Sequence, residues 1–170
     1  MLRKLFFGLL LIILLGALAA CKSSEPLSEK EESFLALVPV DSMNDKLQLT
    51  HLDFVGDGKT WLVIELMMEN ISDEEIVFPY DKGARLFTYN ESESTWLEID
   101  DSFNLLSRDD IILTTKENPL SNIAIVTVAP DLLNNDKPFT VRIVVVGTVL
   151  RDGEPADETV GAFVDVTLQP

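Results

Sequence analysis

The chain has 170 residues, 46% of them hydrophobic, and carries 29 acidic against 13 basic residues for a net charge of −16 at pH 7. That length is one domain's worth of core. The charge excludes phosphate-rich partners, because nucleic acid and anionic lipid head groups are both repelled. A single cysteine excludes an intramolecular disulfide, so the fold must rest on its apolar core.

Arg3 and Lys4 form a short basic start, and the run from Leu5 to Ala20 contains no charge. It ends Leu18-Ala19-Ala20-Cys21, with small residues ahead of the cysteine. A basic start, an apolar stretch and a small-residue cut site have the form of a secretory signal. The apolar run is shorter than the ~20 residues that a membrane-crossing helix needs. Leu18-Ala19-Ala20-Cys21 resembles the lipobox of bacterial lipoproteins. The resemblance implies that residues 1–20 are a signal peptide and that Cys21 becomes the mature N-terminus, bearing a diacylglycerol thioether and further acyl chain. It also implies membrane attachment through that lipid, on the extracytoplasmic face. Two or three chains anchor stably where one does not. In that family an aspartate after the cysteine retains the protein at the inner membrane. Lys22 stands there instead, and the choice between inner and outer membrane stays open. Loss of Arg3 and Lys4 with the signal takes the net charge to −18.

Residues Lys22–Ser33 read KSSEPLSEKEES, with one large apolar side chain. Such composition predicts a flexible tether over residues 21–34, of which a dozen flexible residues reach roughly 20 Å r.m.s.. The folded domain is then expected over 35–170.

From Leu35 on, short apolar runs alternate with turn residues. Leu62, Ile64, Leu66 and Met68 alternate with Glu65 and Glu69, the period of a strand with one buried face. Phe139, Val141, Ile143 and Val145 alternate with Thr140 and Arg142, and Val160, Ala162, Val164, Val166 and Leu168 with Thr159, Asp165 and Thr167. Within Leu47–Val55 the apolar face switches midway, which predicts a bulge near Thr50. Weaker strands are expected at Glu75–Phe78, Ala84–Tyr89, Thr95–Ile99, Ile111–Thr114 and Ile123–Ala129. Gly56-Asp57-Gly58, Asn134-Asn135-Asp136 and Asp152-Gly153 are turn signals. No long segment has helical period; at most a turn or two is expected near 103–106 and 130–133. Eight or nine short strands at this spacing predict an antiparallel β-sandwich.

Val63-Ile64-Glu65-Leu66, followed by Glu69-Asn70-Ile71-Ser72-Asp73-Glu74-Glu75-Ile76-Val77-Phe78, resembles the immunoglobulin-like and telokin-like sandwiches of secreted bacterial proteins. There an apolar strand ends in Asn-x-Ser or Asn-x-Thr, turns through acidic residues and returns as a short strand. The resemblance implies an immunoglobulin-like β-sandwich, and Asn and Ser side chains that cap the turn. Many members of that group have no known activity.

Candidate chemistry is sparse. Asp100, Asp101, Asp109 and Asp110 fall in loops that a sandwich gathers at its ends, and loop carboxylates are what calcium selects. Their spacing matches no EF-hand, and a solvated acidic rim explains them as well. His51 is the lone histidine, so a zinc site lacks ligands, and a hydrolase would have to recruit His51 into a distant triad. Phe87, Tyr89, Trp61 and Trp96 offer a carbohydrate-binding face or, more simply, cross-strand packing. Met68 reads as core filling. The reading that follows is a non-catalytic, lipid-anchored module that engages an unknown protein partner. A calcium- or carbohydrate-binding module is the alternative, with an extracytoplasmic hydrolase behind both.

Overall fold

The computed structural model describes residues 27–58, 60–78, 84–99, 110–116, 122–128, 133 and 137–169. Within them lie one helix, α1 (Glu29–Leu37), and ten strands. The strands are β1 (Ser42–Met43), β2 (Leu47–Gly56), β3 (Leu62–Asn70), β4 (Glu75–Phe78), β5 (Arg85–Asn90), β6 (Thr95–Ile99), β7 (Ile111–Leu113), β8 (Asn122–Val128), β9 (Phe139–Arg151) and β10 (Glu154–Leu168). The turn of helix expected near 103–106 lies outside the described residues, as does the one near 130–133 apart from Leu133, which is helical. Among the described residues, no helix is long and apolar enough to cross a membrane.

The protein is an all-β sandwich. A seven-stranded sheet runs β1-β10-β9-β4-β7, with β5 also paired to β9 and β6 to β5; a three-stranded sheet runs β2-β3-β8. Strand β9 organises the larger sheet. One edge pairs with β10 along nearly its whole length. The other edge is divided, Val141–Val144 pairing with β5 and Thr148–Leu150 with β4. The β9–β10 turn uses Asp152 at φ 56° and Gly153 at φ 81°. Two successive left-handed residues make the tight hairpin turn whose twist matches the strands.

The core lies between the sheets. The residues expected on buried faces are there: Leu62, Ile64, Leu66 and Met68 from β3, Val141, Ile143 and Val145 from β9, and Val160, Ala162, Val166 and Leu168 from β10. The bulge expected near Thr50 in β2 is present, between His51 and Asp53, at Leu52. Asn70 is buried at the end of β3. Its amide donates to the carbonyls of Glu74 (2.6 Å) and Leu113 (3.3 Å), and its Oδ1 accepts from the backbone N–H and hydroxyl of Ser72. The Asn-x-Ser turn thus ties β3 to β4 and β7 through one side chain.

The tether reading is corrected at its C-terminal end. Residues 29–34 are helical, and Ser28 caps the helix by accepting from the Glu31 N–H at 3.3 Å. Phe34 and Val38, one turn apart, are buried against the outer face of the larger sheet in a second cluster with Phe87, Trp96 and Val144. A helix this short is not stable alone; tertiary docking holds it.

Candidate functional site

Two surfaces are built from residues with chemical potential. The first is where α1 lies on the large sheet. Arg142, on the outer face of β9, is only 3% exposed. Its guanidinium forks onto Asp165 of β10 (2.7 Å twice) and onto Glu31 of α1 (2.8 and 3.0 Å). It also lies over the rings of Phe163, Trp96 and Phe34, at 3.9, 4.5 and 4.6 Å. Burial works against its charge, but hydrogen bonds to Asp165 and then Glu31 outweigh burial and hold its pKa above the ordinary arginine value. Trp96 donates its indole N–H to the Lys30 carbonyl at 2.9 Å, and the Lys30 ammonium sits 4.0 Å from the Tyr89 ring centre.

The aromatic residues of β5 and β6 follow the simpler of their two readings, cross-strand packing. Tyr89 and Trp96 are direct cross-strand partners, their rings 5.2 Å apart, and Phe87 shares their side. Helix α1 covers Phe87 and Trp96, while Trp61 belongs to the other sheet. What remains open beside Tyr89 is a groove of about 370 Å³ floored by Thr88, Phe139 and Thr140 and flanked by Lys30 and Asp165. The Arg142 cluster escaped the sequence reading because Arg142 sits on the polar face of an alternating strand. Ser28 followed by Glu31 was the local signal of a helix start, although the Glu31 carboxylate turns to Arg142.

The second surface is the three-stranded sheet. Strands β2 and β8 are its outer strands, and among the described residues no strand pairs with the edge of β2 turned away from β3. Leu52, Phe54, Val55 and Trp61, each 39–48% exposed, cluster at the hairpin end of this sheet. Phe54 borders a cavity of about 240 Å³ that it shares with Gly56, Leu62, Leu168 and Gln169. Gly56 closes the hairpin at φ 142°, and a Cβ there would stand 2.5 Å from the Trp61 carbonyl.

The other sequence candidates are placed as follows. Asp110 is exposed just ahead of β7, while Asp100, Asp101 and Asp109 lie outside the described residues, as does Cys21. Among the described residues, no three His, Cys, Asp or Glu side chains are grouped to hold a metal ion. The His51 ring packs at a tilt of 53° against Phe54, centroids 4.4 Å apart, and its Nε2 is buried with no hydrogen-bond partner among the described residues. No protein-family model matches the chain, and no curated protein matches it.

Proposed function

We propose that this chain is a lipid-anchored extracytoplasmic module that works by holding a protein partner. The anchor rests on the lipobox-like Leu18-Ala19-Ala20-Cys21. The binding role rests on one observation: among the described residues no strand pairs with the outer edge of β2, and Leu52, Phe54, Val55 and Trp61 are exposed near it. An edge that no described strand covers, with exposed apolar residues near it, is a ready template for another chain. Because α1 starts at Glu29, only seven peptide steps separate Cys21 from its cap Ser28, at most about 25 Å fully extended. The lipid therefore keeps the sandwich within reach of a membrane-bound partner.

Two measurements test this. Labelled palmitate is expected to enter the wild-type chain and not Cys21→Ser, which should also leave the membrane fraction; unchanged fractionation of Cys21→Ser would sink the anchor. Lysine cross-linking in the native cells is expected to give a reproducible partner. Links confined to the domain itself would sink the partner-holding role.

A further inference from the structure

The outward face of the three-stranded sheet carries a defect with an evident cure. The alternation that buries Leu62, Ile64, Leu66 and Met68 turns Val63, Glu65 and Met67 outward. In the ladder, Asp53 stands directly opposite Glu65, and Val55 opposite Val63. Like charges directly opposite destabilise a sheet. Neither carboxylate is in an ion pair among the described residues; Asp53 accepts from the Phe54 N–H at 2.8 Å. This pair starts one residue from the bulge at Leu52, on the strand whose outer edge no described strand pairs, and Phe54 on the other face borders the cavity.

We propose that the open edge of β2 takes an extended segment of another protein as an added strand. Its chemistry is alternating: apolar side chains toward Phe54 and the cavity it borders, and lysine or arginine toward Asp53 and Glu65. Strand addition draws affinity from backbone hydrogen bonds and specificity from alternate side chains. A second copy of β2 is disfavoured, since the strand from Leu47 to Gly56 contains no lysine or arginine to set against Asp53 and Glu65. A basic strand instead supplies the cation that neither carboxylate has among the described residues. This inference rests on the partner-holding role proposed above and adds where and what is held.

The test uses the full chain in detergent micelles with three capped synthetic peptides spanning the length of β2. One alternates valine and lysine, one alternates valine and glutamate, and one is the valine–lysine peptide N-methylated on alternate residues. The valine–lysine peptide is expected to protect β2 amides from hydrogen exchange and to shift Trp61 emission to the blue, with Trp61→Phe assigning the signal. The acidic and N-methylated peptides should do neither. Glu65→Lys places opposite charges across the ladder, so it should raise the Tm while weakening the basic peptide about tenfold. A higher Tm with lost binding separates recognition from folding. Equal binding of the acidic peptide, protection on another strand, no binding at low-millimolar peptide, or undiminished binding to Glu65→Lys would each overturn the assignment. In cells, a cross-linked partner that survives Glu65→Lys sinks the edge alone. No partner for wild type or variant sinks the partner-holding role itself.

Discussion

Arg142 is the most exacting residue of the protein. A buried guanidinium must be matched by acceptors, and here two carboxylates and three ring faces surround it. Arg142→Met keeps the stem but leaves Glu31 and Asp165 facing each other without a cation. Because both carboxylates keep partial solvent contact, the expected loss is about 2–3 kcal/mol, at the lower side of what breaking a fully buried pair costs. Urea unfolding measures it. Arg142→Lys should recover little, since one ammonium cannot fork onto both acids. Asn70 is exacting for a different reason. Asn70→Asp removes the donor to two carbonyls and sets a negative charge against them, and about 2–4 kcal/mol should be lost in the same measurement. Gly147 meets a steric limit: a Cβ there would lie 2.8 Å from Ile76 Cγ2 and 2.9 Å from Phe78 Cε1. Gly147→Val is expected to cost about 2–3 kcal/mol, because the neighbours belong to a packed core and cannot move aside freely.

At the scale of the element, the strands were legible and the helix was not. A strand with one buried face writes period two into the sequence, so β3 and β9 could be read closely at both ends, while β10 begins at Glu154, ahead of the run expected from Thr159. Helix α1 buries only Phe34, with Val38 buried at its C-cap, within a segment rich in Ser, Glu and Lys. Its composition is that of a linker, and its order comes from contacts more than a hundred residues away, Glu31 with Arg142. That dependence is testable. Phe34→Ala should cost about 3–4 kcal/mol from the lost burial and should release α1 as a unit. Increased solvent access of Trp96, read by fluorescence quenching, is the expected sign; an unchanged Trp96 would mean that α1 stays docked without Phe34. The candidate calcium aspartates show the opposite limit. Their grouping depends on how loops converge, which period and spacing do not encode.

At the scale of the whole molecule, a sandwich follows from many short alternating strands, but the pairing order does not. Nothing in the local pattern says that β9 serves β5 with one half and β4 with the other. The two sheets are also joined by charge. Lys46, just before β2, binds Glu74, just before β4, and Glu158 of β10. Arg151, at the end of β9, binds the same two carboxylates, reaching Glu74 at 2.9 Å. Hydrogen bonds from Lys46 and then Arg151 hold both glutamates below their ordinary value of 4.5. A carboxylate whose pKa is lower folded than unfolded adds stability that is complete above the unfolded value. That stability is lost as pH falls through the folded value. The network should therefore strengthen the protein at neutral pH and fade as the pH drops below 4.5. In a Glu74→Gln, Glu158→Gln double variant, the Tm deficit against wild type is expected to be largest near pH 7 and to shrink steadily below about pH 4. Added salt should reduce the deficit at neutral pH, since the Arg151 end is open to solvent. A deficit that stays constant from neutral to acid pH would show that the two glutamates act through packing, and that charge does not join the sheets.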